Sequence, residues 1–581
     1  MMRRLMLLAL LFAAPAQAAS LPAVEAQHFM VVSAQHLAAD VGADILRAGG
    51  NAVDAAVAMG YAEAVVNPCC GNIGGGGFMT IHLADGSDHF INFREMAPAA
   101  ARADMYLDAD GKPRPGASLN GYLAAGVPGT VAGLDLALQR YGSLPRAQVM
   151  APAIRLAREG FVLLRGDTDI LQHGTMKFRS QPNVARIFLH ADGSPLQPGE
   201  RLVQSELAAT LQAIATDGPG AFYQGHAAAA VAAAAAANGG ILSAADFAAY
   251  SATELAPVRC SYRGYNVISA PPPSSGGTTL CEILNILEPT DLRGLGFRSA
   301  ASVQVLVEAM RHAFVDRNSA LGDPAFVANP LDRLLSKDYA AQIRASIAPD
   351  RAGKSAEVQP GVAPHERPET THYSVLDGAG NAVATTYTIN GYFGAGVIAG
   401  DTGFFLNDEM DDFTLRPGTA NLFGLVQGAA NAIAPGKRPL SSMAPTIVTR
   451  DGKPVFVLGS PGGSRIITIT LETLLNLIDY GMELQEAVDA PRLHHQWLPD
   501  EVAFETRGLS PDTQGKLAAM GYKLSEQTPW GAAAAIAVGQ GARQGTATSS
   551  GADSALSGRM RAGFIYGAND ARRPAGKAEG D

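Results

Sequence analysis

The chain has 581 residues, 47% of them hydrophobic, with 44 lysines and arginines against 54 aspartates and glutamates for a formal charge of −10. That length holds three or four ordinary domains or one large compact body. The mild acidity argues against nucleic acid as a partner, which demands a basic face.

The chain opens MMRRLMLLALLFAAPAQA: Arg3 and Arg4 precede an apolar stretch from Leu5 to Ala14, and Ala16-Gln17-Ala18 has the small-residue pattern of a cleavage site. Residues 1–18 read as a secretory signal, too short to cross a bilayer as a stable helix. No later segment offers about 18 consecutive apolar residues. The mature chain is therefore expected to be soluble and exported, periplasmic or secreted, without a membrane span. Export permits disulfides, and Cys69, Cys70, Cys260 and Cys281 allow three connectivities. The adjacent pair Cys69 and Cys70 is expected not to bridge itself.

Next, HLAADVGADILRAGGNAVDAAVAMGYAEAVV predicts two helices separated by Gly49-Gly50, with Asn51 capping the second. GNIGGGGFM (Gly71 to Met79) lacks both the dinucleotide fingerprint and the Lys-Ser/Thr of a phosphate loop, so it reads as a tight structural turn. HAAAAVAAAAAANGG is a helix by alanine propensity, ended at Asn238-Gly239-Gly240. From Ile347 to Glu369 a run with four prolines reads as exposed linker. Two hairpins follow, HYSVLDGAGNAVATTYTI and APTIVTRDGKPVFVLGS, the latter turning at Asp451-Gly452. GQGARQGTATSSGADSALSGRMRAG near the C-terminus reads as a surface loop. The pattern predicts a helix-rich first part and a strand-rich second part meeting near residue 369.

Familiar catalytic patterns fail in turn. His365 and His372 flank Pro368 and form no zinc-binding helix, and the adjacent His494 and His495 read as packing residues. GSPGGS is not a serine nucleophile elbow. What remains is Thr370, which opens a strand immediately after the linker. A threonine hydroxyl is a weak nucleophile unless a base stands beside it, and its own α-amino group serves when the residue begins a chain. Cleavage of the Glu369–Thr370 bond would create that amine. Against this stands the plain reading that Thr370 and Thr371 start a strand because β-branched residues favour one.

The ordered series GNIGGGGFM, NFREMAPA, PGTVAGL, PPPSSGG, LGDP, TTHYSV, MDDF, KRPLSSMAPTIV, GSPGGSRI and APRLHHQWLPDE resembles the gamma-glutamyltransferases (glutathione hydrolases) of the N-terminal nucleophile hydrolase superfamily, from about residue 24 to about residue 576. The resemblance implies an α+β fold, a four-layer αββα sandwich. It implies a precursor cut into a large subunit, 19–369, and a small subunit, 370–581, which stay together as a heterodimer. Thr370 would be the nucleophile, Thr388 its hydrogen-bonding neighbour, and Gly462 and Gly463 the oxyanion hole. Arg94, Ser441 and Ser442 would hold the substrate α-carboxylate; Asn390, Glu409 and Asp412 would hold its ammonium, apart from the cation. Substrates would be glutathione and other γ-glutamyl compounds, acceptors water or an amino acid or peptide amine, with no cofactor or metal. At the lid position, where relatives often carry a tyrosine bonded to the residue matching Asn390, this chain has Phe423, which implies a less firmly latched lid. The alternatives are a glutaryl-type cephalosporin acylase and an uncleaved relative that only binds γ-glutamyl compounds.

Overall fold

The structure is a computed structural model that describes residues 20–357, 370–540 and 560–581. The expected signal, residues 358–369 of the proline-bearing run and the Gly/Ser-rich piece at 541–559 lie outside the described residues. The central strands are buried on both faces, and the period-two alternation of side chains divides them between different cores. Met30 and Val32 enter one cluster and Val31 another; Leu376 and Val375, Ile447 and Val448, Val457 and Phe456 divide likewise.

Most strands form two seven-stranded antiparallel sheets, beside a small three-stranded and a two-stranded sheet. The first runs Lys577–Gly580, Met30–Ser33, Thr371–Leu376, Ala382–Thr388, Gly76–His82, Asp88–Phe93, Thr253–Leu255. The second runs Val24–Ala26, Ile565–Asn569, Ala534–Val538, Lys453–Gly459, Thr446–Arg450, Tyr265–Ser269, Val258–Tyr262. Between them lie mostly small side chains, among them Ala26, Ala382, Ala384 and Ala534. Helices His36–Arg47 and Ala52–Val66 cover the outer face of the first sheet; Gly276–Leu287, Ala300–Ala320 and Ile466–Ile478 cover that of the second. This is the αββα sandwich of the α+β class.

Local signals emerge where expected. Asn51 caps helix Ala52–Val66, its side chain accepting from Val53 and Asp54 while Asp54 accepts from the Asn51 amide. The second hairpin turns at Asp451 (φ +51°) and Gly452 (φ +75°), the two positive φ values a tight hairpin turn requires.

Three expectations are corrected. Residue 369 is not a boundary between helical and stranded parts: Thr371–Leu376 pairs with Met30–Ser33 on one side, and its hairpin partner Ala382–Thr388 pairs with Gly76–His82. The hydrogen bonds of both seven-stranded sheets join strands from the two sides of the junction. GNIGGGGFM is only half a turn; from Gly76 it is strand, and a Cβ on Gly77 would meet Thr386 O at 2.4 Å. Cys69 and Cys70 do bridge each other, and Cys260 bridges Cys281. The vicinal pair lies in the buried turn after helix Ala52–Val66, where the Cys70 and Gly71 amides both donate to Asn67 O. That turn holds the two sulfurs together where an extended backbone would part them. The linker also begins less loosely than expected: Ser355 is fully buried, its amide donating 2.8 Å to Asp500 and its carbonyl accepting from Trp497.

Candidate active site

Thr370 is buried at 4% exposure directly before strand Thr371–Leu376. Its hairpin partner ends at Thr388, and the chain then turns through Asn390 at φ +71°, a conformation asparagine tolerates better than most residues. The Asn390 amide donates 2.9 Å to Thr388 Oγ1, and its side-chain nitrogen donates 3.0 Å to Asp408 O. The glycine run permits this arrangement, since a Cβ on Gly75 would lie 2.0 Å from Thr388 O.

Thr370, Thr388, Asn390, Arg94, Glu409, Asp412, Ser441, Ser442, Gly463 and Phe423 line a single cavity of about 20 Å³, room for one water. Gly462 precedes Gly463 in the turn that leads into helix Ile466–Ile478, at φ +149° and +55° respectively. Gly463 and Ile466 line the cavity at the start of this buried helix, whose N-terminal end is suited to developing negative charge.

Electrostatics dominate the far wall. Arg94 is fully buried and bonds Glu409, Asp412 (2.5 Å) and, more weakly, Glu95 (3.4 Å), with its Nε on Pro439 O. Burial opposes its charge, but Glu409, Glu95 and Asp412 outweigh that and raise its pKa. A second buried cation, Arg317, donates to Ser442 Oγ (2.9 Å) and Ser275 Oγ (2.9 Å), and burial lowers its pKa to about 10. Burial pushes Glu95 up to about 7 and Glu409 well above the usual carboxylate range, with Arg94 pulling both back. Glu409 Oε2, Glu95 Oε1 and Asn390 Oδ1 are buried without a hydrogen-bond partner among the described residues. Such atoms are costly to leave unmet, so they mark a place where a donor is missing.

The structure thus gathers nearly every site residue singled out from the sequence, with Gly462 beside the lining and Glu369 outside the described residues. One arrangement differs from expectation. Arg94 and the acids Glu409 and Asp412 are paired directly, because in an unfilled buried site each is the other's available counter-ion. Ser441 Oγ accepts from the Met443 amide at 3.1 Å, while Ser442 serves Arg317. The lid segment is closed by bonds other than a Phe423 hydroxyl: Leu422 N to Asp411 (2.7 Å), Asn421 Nδ2 to Asp412 (3.1 Å), and Gln496 Nε2 to Phe423 O (3.1 Å). The Phe423 ring covers Gly463, where a Cβ would come within 2.4 Å of it.

Sequence reasoning missed Arg317 and Glu95. The available signal was weak: Arg311 and Arg317 stand inside a mostly apolar helix, Ala300–Ala320, whose charges would otherwise face water. His494 and His495 are buried and bonded to Thr468, Gln496 and Asp500, as packing residues are. Among the described residues no group of three or more His, Cys, Asp or Glu is placed to hold a metal ion.

Comparison with known proteins agrees with this geometry. The gamma-glutamyltranspeptidase family model matches residues 38–561. A glutathione hydrolase proenzyme of Pseudomonas sp. (strain A14) is 57% identical over 97% of this chain and 96% of its own length. One from Escherichia coli (strain K12) is 50% identical over 89% of each. Among solved structures, a cephalosporin acylase from Bacillus halodurans aligns with a TM-score of 0.81 at 26% identity, over 98% of both chains. With the sandwich, the strand-leading threonine and the family match extending over most of its length, this chain belongs to the gamma-glutamyltranspeptidase family of N-terminal nucleophile hydrolases.

Proposed function

We propose that the protein is a self-processing γ-glutamyltransferase and glutathione hydrolase with Thr370 as its nucleophile. In the precursor, Thr370 Oγ attacks the Glu369 carbonyl and the C–N bond gives way to an ester. Water hydrolyses that ester, leaving Glu369 with a carboxylate and Thr370 with a free α-amine. In the mature enzyme this amine takes the hydroxyl proton as Oγ attacks the γ-carbonyl of glutathione. The tetrahedral oxygen is met by the Gly462–Gly463 turn, where losing one donor typically costs about 3–4 kcal/mol. Cysteinylglycine leaves with a proton on its amine, and the γ-glutamyl ester is resolved by water or by the amine of an amino acid or peptide. Thr388 orients the nucleophile.

The observation that carries this reading is one buried arginine, Arg94, held against three acids, Glu95, Glu409 and Asp412, with an oxygen of Glu95 and one of Glu409 lacking a partner among the described residues. A γ-glutamyl group is a zwitterion and can enter by exchange. Its α-carboxylate takes over Arg94, with Ser441 and Ser442, and its ammonium takes over Glu409 and Asp412 together with the unmet Asn390 Oδ1. A glutaryl group has no ammonium and would leave those acids with Arg94 as their bonded cation, which disfavours the acylase reading. Phe423 lines this cavity with its ring over Gly463, and in the proposed cycle the segment that carries it lifts as the γ-glutamyl group enters. After removal of residues 1–18 the enzyme is exported, as large (19–369) and small (370–581) subunits; among the described residues no helix is long and apolar enough to cross a membrane.

The test is denaturing electrophoresis with intact mass on the wild type and Thr370→Ala. Two fragments, the smaller corresponding to residues 370–581, and an uncut variant are expected. A wild type that stays whole through prolonged incubation would leave Thr370 without its amine and reduce the protein to a binder.

A further inference from the structure

We infer that Gln496 is a positioning residue that ties the lid to the glycine turn, so that closure over the γ-glutamyl group and assembly of the oxyanion site are one event. This rests on the function proposed above. Gln496 is buried at 3% exposure, just after the short strand Leu493–His494. Its amide reaches in two directions. Nε2 donates 3.1 Å to the carbonyl of Phe423 in the lid, and Oε1 accepts 2.6 Å from Ser464 Oγ. Ser464 directly follows Gly463, on whose bare face the Phe423 ring rests.

The orientation of the amide is itself held. His494 Nε2 lies 2.9 Å from Gln496 Oε1, while His494 Nδ1 lies 2.9 Å from Thr468 Oγ1. Burial, with Arg465 nearby, drives the His494 pKa well below its ordinary value, so the ring is neutral. With one proton, on Nε2, it donates to Oε1, and Gln496 is left with its nitrogen toward Phe423. A neutral, buried amide whose oxygen accepts twice and whose nitrogen donates to Phe423 O is held in that orientation. If the lid lifts, the Phe423 carbonyl leaves and the Gln496 donor is stranded, which favours return. If the glycine turn shifts, Ser464 moves the same amide and loosens the lid. Lid and turn belong to segments far apart in the chain, and Gln496 contacts both.

The two contacts are separable by substitution. Steady-state kinetics on a chromogenic γ-glutamyl anilide, corrected for the fraction of self-processed enzyme, would be compared for wild type, Gln496→Leu and Ser464→Ala. Gln496→Leu is expected to raise KM and lower kcat, each about tenfold, the effect of stranding one buried hydrogen-bonding group. Ser464→Ala is expected to lower kcat about fivefold with KM within about twofold, since the turn-side contact to Gln496 is lost while the Phe423 contact stays. A merely structural role would reduce the active fraction and the melting temperature while leaving both constants alone, and that result overturns the inference. If Gln496→Leu yields no folded enzyme, Ser464→Ala decides alone, and an unchanged kcat overturns it. Failure of the wild type to turn over the anilide would instead remove the γ-glutamyl reading, and this inference with it.

Discussion

Two buried arginine–carboxylate clusters in this molecule use the same residue types to opposite ends. In the first, Arg492 and Arg572 meet Asp570 and Glu505 under the last turns of the chain. Every carboxylate oxygen there is answered: Asp570 accepts from both arginines and the Ala533 amide, Glu505 from Arg572 and the Trp530 and Arg492 amides. Burial works against the Asp570 charge, yet Arg492 and Arg572 hold its pKa below the usual value. In the second, around Arg94, acids outnumber cations, oxygens of Glu409 and Glu95 go unmet, and both pKa values rise. A saturated cluster fastens structure; one built from the same residue types with acids in excess is suited to receiving a cation.

The sharpest way to break that contrast is to neutralise one acid in each. Asp570→Asn leaves a buried arginine uncompensated and is expected to lower stability by about 3–5 kcal/mol, with KM of the folded enzyme unchanged; thermal unfolding and kinetics read this directly. Because the Asp570 pKa is depressed, its contribution is present above the ordinary value of 3.8 and lost only as pH falls through the lower folded value. Asp412→Asn should do the reverse, raising KM for γ-glutamyl substrates about 100-fold with a smaller change in melting temperature. Equal losses of stability in the two variants would erase the distinction.

A milder test uses pH. Glu95 is raised to about 7 by burial, with Arg94 drawing it back. As pH falls through that value it takes up a proton and its negative charge beside Arg94 disappears from the cluster. KM should therefore rise about tenfold below neutrality, and Glu95→Gln should show the raised KM at all pH values with that limb flattened. The smallest effect is expected from Phe423→Tyr. A hydroxyl there that reaches the unmet Asn390 Oδ1 adds roughly one hydrogen bond, lowering KM by about two- to tenfold; an unchanged KM would mean that the two groups do not meet in the closed site.

By itself the sequence determined the elements and the chemistry that depends on local order. The Asn51 cap, the Asp451-Gly452 turn, the alanine helix and the strand behind Thr370 follow from capping, backbone freedom and side-chain period, which act within a few residues. The resemblance added Arg94, Asn390, Glu409, Asp412, Ser441, Ser442 and the glycine pair, residues that the fold then brings to one cavity. Only the tertiary structure decided who pairs with whom. That Arg94 is held by Glu409 and Asp412, that Arg317 arrives from another helix to serve Ser442, that the sheet crosses the Thr370 junction, and that Cys69 bonds Cys70 all depend on contacts or turn geometry without a local pattern. Burial made those choices: once water is excluded, each charge must find whatever counter-charge the packing leaves within reach.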